Sequence, residues 1–594
     1  MTPDTLFNTL VAEGDVILDV LDQRAQDMPD KVYLHYGEDG IRLSYAEFKR
    51  RTDRMAAGLV ALGLQPGQPV SVLTRNSLVS VLTMFATWRA GGVFAPVNFN
   101  FQGDLLKYQL NDTQPFALIT DPSFAPILAA IAADLTLTQV VMHQPSPGDH
   151  DHNPEDTLAP VQGMFAITLL STIERCETPV PAIPRKWFDT ANIVYTSGTT
   201  GPSKGVVQPF RWMNHYSLPL RLGTASDDVL YCDLPMYHVG GAFALVTRAV
   251  WTGNTVGLWD RFSPSRFWDR IAEVGASSCI LLDVMITWLL SAEPRESDRR
   301  NTLNKVHMQP LPANHHEVAQ RFGIDFVSCG FGQTESGVGF TGLIDQSGAA
   351  EMGTPVDLWK GLPRADYLAA CRASGRMVVD GSQPLPKGFM GLPNPLLEVA
   401  ILDEDDNRCA PGVVGQLAFR PRYPGLLLKE YFRKPEATVK VLRNCWFHTG
   451  DACRENPDGS GTYLFVDRMG GFFRVRGENV SSFEVEALMA SHPKVRACAA
   501  LPLPASQGDE DDIAVFLELK EGEQASEAEL RAHAAAKMPK YMQPLYIRVV
   551  KALPVTPTNK IEKYKLKQDL MAELRIPIIE RTNERTNPTN ALKI

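Results

Sequence analysis

The sequence predicts an α/β protein: a large amino-terminal domain of doubly wound α/β subdomains plus a β-rich subdomain, followed by a small carboxy-terminal α/β domain. Three observations support this prediction. Over the first two-thirds of the 594 residues, apolar runs such as PVSVLT, FALITD and ANIVYT alternate with helical patterns, which is typical of a largely parallel sheet. From Leu397 the pattern changes to short strands and turns, as in LEVAILDEDDN, which indicates more β structure. The turn-rich stretch Asn456–Gly471 precedes a smaller α/β pattern.

These changes in pattern give the predicted domain boundaries. Residues 1–467 form the large domain, residues 468–571 the small domain, and residues 572–594 a polar, repetitive tail that we expect to be disordered. The loop His143–Asp156 is rich in Pro, Asp and His. Its histidines, His143, His150 and His152, could in principle bind a metal ion, but we interpret the stretch as a surface loop.

Composition excludes several functional classes. Hydrophobic residues make up 44% and charged residues 21% of the chain, as in ordinary globular enzymes. A net charge of -10 without a basic tract argues against a nucleic-acid partner. The amino terminus lacks the pattern of a secretory signal, and the longest apolar runs are too short to span a bilayer. The nine scattered cysteines contain no Cys-x-x-Cys pair, which suits a reducing cytosol, so we expect a cytoplasmic protein.

A loop rich in phosphate-binding groups follows the apolar strand ANIVY, in the stretch Tyr195–Gly205, YTSGTTGPSKG. It is not a nucleoside-triphosphate P-loop, because both the glycine before the lysine and the hydroxyl after it are missing. Its three glycines permit close approach of the backbone to a ligand, and five hydroxyls and Lys204 supply donors. The residues therefore predict a phosphate-binding loop, with a solvated polar turn as the alternative.

Five motifs in a fixed order extend this observation. After YTSGTTGPSKGV come LPMYHVGG (234–241), GFGQTES (330–336), WFHTGD (446–451) and LPVTPTNKIEKYKLK (553–567). Together they resemble the AMP-forming acyl-adenylate superfamily of acyl-CoA synthetases, peptide-synthetase adenylation domains and luciferases. The resemblance covers nearly the whole chain. The stretches KEYFRKPEAT and RGENVSSFEVE are most similar to the crotonobetaine/carnitine-CoA ligase branch.

The resemblance implies a role for each matching residue. Magnesium would bind at Glu335, the α-phosphate of ATP at Thr334, and the reacting carboxylate and α-phosphate at Lys560, while His238 would lie over the acid site. The remaining ligand-binding positions are the phosphate loop (Thr196, Ser197, Gly198, Thr199, Thr200 and Lys204), Phe331, the ribose contacts Asp451 and Arg468, and Gly477 in the segment for the CoA pantetheine. The small domain would be mobile, and would rotate between the two half-reactions.

Three departures from the family pattern and one insertion affect details of this prediction. Asn559 replaces the glycine before the final lysine, and asparagine also tolerates left-handed backbone angles. The hinge position that is usually Asp or Lys is Gly470, which still permits rotation. The adenine-side Gly-Gly-Ala-Pro run is replaced by HMQPLP, so adenine contacts are not carried over. An insertion near 356–388 has no clear counterpart in the shorter synthetases, and fatty acyl-AMP ligases carry an insertion in a similar region.

The sequence therefore predicts an ATP-dependent carboxylic acid:CoA ligase that needs ATP, Mg²⁺ and CoA and forms an acyl-adenylate before the thioester. Two alternatives stay open: an acyl-AMP ligase that loads a carrier-protein phosphopantetheine, and a catalytically inactive ligand sensor. The intact Lys204, Glu335, Asp451 and Lys560 argue against the sensor. The acid is not identified by the sequence, and the oligomeric state is open, with a homodimer as one alternative.

Overall fold

A computed structural model divides the chain into two compact units, Met1–Phe465 and Val466–Ile594. The structure describes residues 1–196, 203–309, 311–312, 314–346, 353–386, 388–469, 472–475, 478–505, 511–538, 540–556 and 561–574. Most of the predicted tail, residues 575–594, lies outside the described residues. Its first two residues, 572 and 573, belong to a helix, and the predicted boundaries stay predictions.

The first unit contains two large sheets. In the larger sheet the strand order is β18-β19-β21-β22-β17-β15-β14-β13-β12-β10-β11-β1-β2, with β16 beside β15. Its strands are β1 Val32–Tyr36, β2 Ile41–Ser44, β10 Val229–Cys232, β11 Thr255–Leu258, β12 Ser278–Leu281, β13 Lys305–Met308, β14 Phe326–Gln333, β15 Gly337–Asp345, β16 Met377–Asp380, β17 Phe389–Pro393, β18 Leu397–Leu402, β19 Gly415–Pro421, β21 Phe447–Glu455 and β22 Tyr463–Arg468.

The second sheet of this unit has the order β20-β9-β8-β4-β3-β5-β6-β7. Its strands are β3 Pro69–Leu73, β4 Val93–Pro96, β5 Ala117–Thr120, β6 Gln139–Met142, β7 Ala166–Leu169, β8 Thr190–Thr196, β9 Lys204–Pro209 and β20 Glu430–Tyr431. Strands β3 to β6 are parallel to their neighbours, whereas β8 and β9 form an antiparallel pair.

Helices cover these sheets and follow the alternation that the sequence predicts. In the first unit they are α1 Pro3–Ala12, α2 Ile17–Asp27, α3 Tyr45–Ala61, α4 Ser77–Arg89, α5 Gly103–Thr113, α6 Ala125–Ala129, α7 Leu170–Glu174, α8 Phe210–Arg221, α9 Val239–Gly241, α10 Arg248–Thr252, α11 Phe267–Val274, α12 Asp283–Ser291, α13 His315–Phe322, α14 Arg364–Ala373 and α15 Pro435–Val441. A π-helical turn, Ala242–Thr247, joins α9 to α10, so residues 239–252 form one helical segment.

Burial explains why the strands are short apolar runs rather than alternating ones. All residues of β4 and β5 are buried, as expected when helices cover both faces of a parallel sheet. Helix α4 is buried along its length from Ser77 to Trp88, so it is an interior helix. Its first turn is capped by the side chain of Asn76, which accepts a hydrogen bond from the amide of Val79.

The change in pattern at Leu397 corresponds to a change in strand direction. Strands β10 to β14 are parallel where they pair with one another, whereas β17 to β19, β21 and β22 form antiparallel pairs. A doubly wound part followed by a β-rich part therefore agrees with the predicted order of subdomains.

The segment 356–388 contributes a strand and a helix to the larger sheet and its packing. It contains α14, and its strand β16 pairs in parallel with β15 from Gly342 to Asp345. Tyr367 and Cys371 of α14 are buried against Phe326 and Leu343. The segment is therefore an integral part of the larger sheet, beside the strand that follows the GFGQTES motif.

The second unit is a small α/β unit. Its strands are β23 Phe472–Val475, β24 Glu478–Ser481, β25 Val495–Pro504, β26 Asp511–Leu519 and β27 Tyr546–Val550, and its helices are α16 Ser482–Ala490, α17 Glu527–Lys537 and α18 Lys563–Glu573. Strands β25 and β26 are antiparallel and β26 and β27 are parallel. Among the described residues of both units, no helix has the length and apolar character needed to cross a membrane.

Candidate active site

The two strands that flank the predicted phosphate loop pair with each other as a β-hairpin. Thr196, the last residue of β8, is paired in register with Lys204, the first residue of β9. The hydroxyl of Tyr108 on α5 donates a 2.9 Å hydrogen bond to the carbonyl oxygen of Ser203, which fixes the end of the loop. The loop residues Ser197, Gly198, Thr199 and Thr200 lie outside the described residues.

The short strand β20, which comes much later in the sequence, lies at the edge of the sheet next to this hairpin. Strand β20 pairs antiparallel with β9, so that Tyr431 lies opposite Val206. The ammonium of Lys204 lies 5.2 Å from the centroid of the Tyr431 ring, a distance typical of a cation–π contact. Since Lys204 makes no ion pair with a carboxylate in the described parts of the chain, its charge is available to an anionic ligand.

Glu335 lies in the turn between β14 and β15, next to this edge. Oε1 of Glu335 accepts a 2.9 Å hydrogen bond from the hydroxyl of Tyr431. Burial raises the pKa of Tyr431, and the Glu335 carboxylate raises it further, so the tyrosine stays protonated and donates. The amide of Leu428 and the indole of Trp212 both donate to the carbonyl oxygen of Glu335, which fixes the turn.

Thr334 is tied to the same edge through its main chain. Nε2 of Gln208, on β9, donates a 2.8 Å hydrogen bond to the carbonyl oxygen of Thr334. The β8–β9 hairpin and the β14–β15 turn are therefore joined side by side. This brings three predicted site residues, Lys204, Thr334 and Glu335, to one place.

Asp451 lies on a bulge of β21. The pairing of β19 with β21 is irregular here, because Gln416 faces Ala452 whereas Ala418 faces His448. The extra residues kink the strand, a common way to redirect a side chain at a functional site. Asp451 is buried, with only 2% of its surface exposed.

Gln333 connects Asp451 to the β14–β15 turn. Nε2 of Gln333 donates to Oδ2 of Asp451 at 2.5 Å and to the carbonyl oxygen of Thr449 at 3.0 Å. Its Oε1 is buried and has no hydrogen-bond partner among the described residues. A buried acceptor of this kind fits a donor from a bound ligand. Gln333 therefore links Asp451 to the part of the candidate site that contains Thr334 and Glu335.

The side chain of Phe331 lies in an apolar cluster. The Phe331 ring is 8% exposed and packs with Phe340, Phe419 and Phe465 at centroid distances of 6.1–6.4 Å. It is part of an apolar cluster, and its predicted contact with the nucleotide stays a prediction.

His238 is exposed and immediately precedes the helical segment 239–252. Its ring lies 4.4 Å from that of Tyr237, which makes an edge contact with Phe99. The predicted role of His238 over the acid site is not tested by these contacts.

Three further predicted residues belong to the second unit or its border. Gly477 and Lys560 lie outside the described residues, as does Gly470 at the predicted hinge. Arg468 is described by its backbone alone, as the last residue of β22. The predicted roles of these residues stay predictions.

Sequence reasoning missed two residues that shape the site, Tyr431 and Gln333. Tyr431 lies within KEYFRKPEAT, which indicates a branch of the family but does not by itself assign a role to the tyrosine. Gln333 lies inside GFGQTES at a position that the family pattern leaves variable. The motif that surrounds each residue was the available signal, but only the fold shows what each residue contacts.

The sequence model described as "AMP-binding enzyme" matches residues 21–432, more than two-thirds of the chain. The chain belongs to the AMP-binding enzyme family. The model of the AMP-binding enzyme C-terminal domain matches residues 484–560, inside the second unit. The predicted family is therefore confirmed.

Curated relatives match the AMP-binding enzyme over nearly its whole length. The crotonobetaine/carnitine–CoA ligase of Salmonella typhimurium (strain LT2) is 27% identical over 569 residues, covering 94% of this chain and 100% of the relative. The medium/long-chain-fatty-acid–CoA ligase FadD6 of Mycobacterium tuberculosis is 29% identical over 581 residues, covering 94% and 87%. The predicted class, an AMP-forming acid–thiol ligase, is confirmed by these relatives together with the family match.

Solved structures of similar fold confirm the predicted fold class. The o-succinylbenzoate CoA synthetase MenE of Bacillus subtilis, in complex with AMP, has a TM-score of 0.71 at 23% identity, covering 92% of this chain and 98% of that one. MatB of Rhodopseudomonas palustris, bound to ATP, has a TM-score of 0.72 at 23% identity, covering 93% and 98%.

Proposed function

We propose that this AMP-binding enzyme is an ATP-dependent carboxylic acid:CoA ligase that works in two steps. In the first step a carboxylate oxygen of the acid attacks the α-phosphorus of ATP and pyrophosphate leaves. In the second step the thiol of CoA attacks the acyl carbon, loses its proton and expels AMP. The observation that carries the proposal is the joined arrangement of Lys204, Tyr431, Glu335 and Asp451 at one edge of the two sheets.

Lys204 would neutralise the leaving phosphates. Its ammonium lies above an aromatic ring rather than against a carboxylate, so it keeps its charge for an anionic ligand. Thr196 and the loop residues Ser197, Gly198, Thr199 and Thr200 would add hydroxyl and backbone donors around the same phosphates. Such donors stabilise charge that grows in the transition state.

The residues present fit a magnesium ion that enters with ATP. Magnesium usually takes one or two protein carboxylates and completes its octahedral shell with phosphates and water. Glu335, oriented by Tyr431, supplies such a carboxylate next to Lys204. The ion would offset charge on the phosphates during adenylation, while Thr334 would contact the α-phosphate.

Asp451 would bind the ribose of ATP. Its buried carboxylate accepts one hydrogen bond from Gln333 and has lone pairs that can accept two ribose hydroxyls. Arg468 would reach the same sugar, and Lys560 the reacting carboxylate. Gly477 would line the path of the pantetheine, and His238 would lie over the acid.

The acceptor is free CoA in this proposal, and a carrier-protein phosphopantetheine is the alternative outcome of the test. The scattered cysteines support a cytoplasmic location as part of the same proposal. Whether the enzyme forms a homodimer is open.

The proposal is tested by measuring pyrophosphate and AMP release from ATP over a panel of carboxylic acids, with and without CoA. We expect pyrophosphate and AMP, together with a thioester when CoA is present. Formation of ADP and an acyl phosphate would contradict the adenylation step. If acyl-AMP accumulates in the presence of CoA and is consumed only when a holo carrier protein is added, the acceptor is the carrier protein rather than free CoA.

A further inference from the structure

Two small adjoining cavities lie inside the first unit, behind the β14–β15 turn. Their volumes are about 20 and 30 Å³. Both are lined by Leu220, His307, Ser328 and Arg376, and Arg248 lines the first. A cavity of about 10–15 Å³ by this measure is large enough for one water molecule. The cavities therefore suit a small polar group better than a long alkyl chain.

Two arginines at these cavities have no carboxylate partner. Arg248 is 4% exposed and Arg376 is 6% exposed. Neither guanidinium forms an ion pair within the described part of the chain, and Nε of Arg248 and Nη2 of Arg376 are buried without a hydrogen-bond partner there. Nη1 of Arg376 has only a 3.7 Å contact with the sulfur of Cys371. Both guanidiniums are thus buried without an ion-pair partner of their own, and the only carboxylate among the described residues that acts on Arg248 is Asp228, which is shared with Lys305.

Other buried cations of the same region are paired. Arg221 bonds to Glu13 at 2.5 Å, and Lys305 bonds to Asp228 at 2.8 Å. Asp228 also accepts a 2.6 Å hydrogen bond from Ser277, so it is already engaged. A buried charge without a partner is strongly unfavourable, and a site that retains two of them calls for an explanation.

Among the other polar groups that line the cavities, Lys305 is paired with Asp228 and His307 is neutral, so neither offsets the charge of the arginines. Burial lowers the pKa of His307 to about 4, so its ring is uncharged. Its two nitrogens lie 3.0 Å from Oγ of Ser328 and 3.3 Å from Oε1 of Gln309. Burial lowers the pKa of Arg248 to about 10, which still leaves it protonated near neutral pH.

The cavities lie against the two strands that carry the β14–β15 turn. Ser328 on β14 lines both cavities, Gly342 on β15 lines the second, and the turn between these strands carries Glu335. Arg248 lies ten residues after His238 along the helical segment 239–252, a distance of ~15 Å at the α-helical rise. An acid that binds beneath His238, as in the proposed function, and extends along this segment would therefore bring its far end to Arg248.

We propose that Arg248 and Arg376 bind a second carboxylate at the far end of the acid, so that the substrate is a dicarboxylic acid. This inference rests on the proposed acid–CoA ligase function. Guanidinium groups match carboxylates in charge and in fork geometry. An acid with an apolar far end would leave both guanidiniums unpaired, and one with a cationic far end would be repelled.

This assignment also gives the segment 356–388 a role in specificity. Arg376 directly precedes β16, and Tyr367 on α14 lines the first cavity. The segment contains no family motif, yet it delivers one of the two charges.

The test compares α,ω-dicarboxylic acids with monocarboxylic acids of equal length, roughly four to twelve carbons to bracket the ~15 Å span. We expect kcat/KM for pyrophosphate release to favour a dicarboxylic acid on the order of 10²-fold or more, because a polar site left unpaired rejects the analogue that lacks the group. Arg376→Gln should reduce this preference at least about tenfold. Arg372→Gln, an exposed neighbour on α14, is the matched control and should keep the preference.

Two further readouts separate the possible failures. If monocarboxylic acids are used at least as well, the second-carboxylate site is wrong while the ligase function stands. If no acid releases pyrophosphate, the proposed function itself fails, and calorimetric binding of dicarboxylic acids to the enzyme and to Arg376→Gln still tests the site. Arg376→Met should keep or raise Tm in the free enzyme, since it removes an unpaired buried charge. A clear loss of Tm or of folding would show that the guanidinium is structural and would overturn the proposal.

Discussion

The hydroxyl of Tyr431 donates a 2.9 Å hydrogen bond to Oε1 of Glu335, although the two residues are 96 positions apart in the sequence. The contact exists because β20 pairs with β9 and because the amide of Leu428 bonds to the main chain of Glu335. A strand of one sheet thus orients a carboxylate that belongs to a turn of the other. Since the ring of Tyr431 also faces Lys204, one side chain organises both charges of the proposed phosphate site.

Tyr431→Phe should weaken adenylation while it keeps the aromatic ring below Lys204. The hydroxyl that orients Glu335 is lost, and such supporting contacts of metal ligands typically change metal affinity or activity about 10–100-fold. We expect a higher Mg²⁺ concentration for half-maximal pyrophosphate release and a lower kcat/KM. Tyr423→Phe is the control, because that hydroxyl bonds only to Asp4 at the surface. An unchanged Mg²⁺ dependence in Tyr431→Phe would contradict the role given to this hydrogen bond.

The motifs singled out Lys204, Thr334 and Glu335 from the sequence, and the fold brings these three residues together, while their roles stay predictions. Tyr431 could not be found in this way. Its strand is only two residues long, and its function depends on a pairing with β9 that no local pattern encodes.

The same limit applies to the two arginines. Arg248 lies in an apolar helical run and Arg376 in a segment without a motif, and only the packing of α8, β13 and β14 places them at common cavities. The alternation of strands and helices predicted the doubly wound part, and the change at Leu397 predicted the antiparallel part. The segment 356–388 is expected to be an insertion because it has no clear counterpart in the shorter synthetases, and its four-residue strand β16 is too short for a sequence pattern to reveal that it joins the sheet.

Asp451→Asn should raise the KM for ATP on the order of tenfold or more. The substitution removes the charge that would strengthen hydrogen bonds from the ribose, and bonds to charged acceptors are about twice as strong as neutral ones. The amide oxygen can still accept from Gln333, so the bulge on β21 should be kept. The KM for ATP is measured at saturating acid, with Tm as the check on folding. A normal KM for ATP would remove Asp451 from the nucleotide site.

His150→Asn should abolish one component of the pH dependence of stability. The imidazole bonds to Asp39 at 2.9 Å and to Asp260 at 2.8 Å. Burial lowers the pKa of His150, but these hydrogen bonds outweigh it and raise the pKa to about 9. Because the folded pKa is raised, the stabilisation is complete below about pH 6.5 and is lost as the pH rises through about 9.

The side chain of His150 is 22% exposed, so screening by solvent reduces its contribution to on the order of 1–2 kcal/mol. We expect the difference in Tm between wild type and His150→Asn to be large at pH 6 and to vanish near pH 10. The exposed His316 offers a control, since His316→Asn should leave the pH profile unchanged. A Tm difference that does not vary with pH would show that the loop is held by contacts other than these ion pairs.

Lys560→Ala should separate the two half-reactions. The sequence predicts that this lysine contacts the reacting carboxylate and the α-phosphate, so its charge should stabilise the adenylation transition state more than bound ATP. The loss should fall on kcat for adenylation, on the order of 10²–10⁴-fold, as for one preorganised electrostatic group. Thioester formation from CoA and previously prepared acyl-AMP should be nearly unchanged, because that step no longer involves the α-phosphorus.

A neighbouring lysine provides the matched control. Lys563 forms a 2.8 Å ion pair with Glu486 and a 3.0 Å hydrogen bond with Ser482, both within the second unit. Lys563→Ala removes a charge of the same sign three residues later in the sequence and should affect the stability of that unit rather than one half-reaction. Pyrophosphate exchange follows the first step, and thioester absorbance follows the second. If Lys560→Ala slows both steps equally, or if Lys563→Ala gives the same selective loss, the assignment of Lys560 to adenylation alone is wrong.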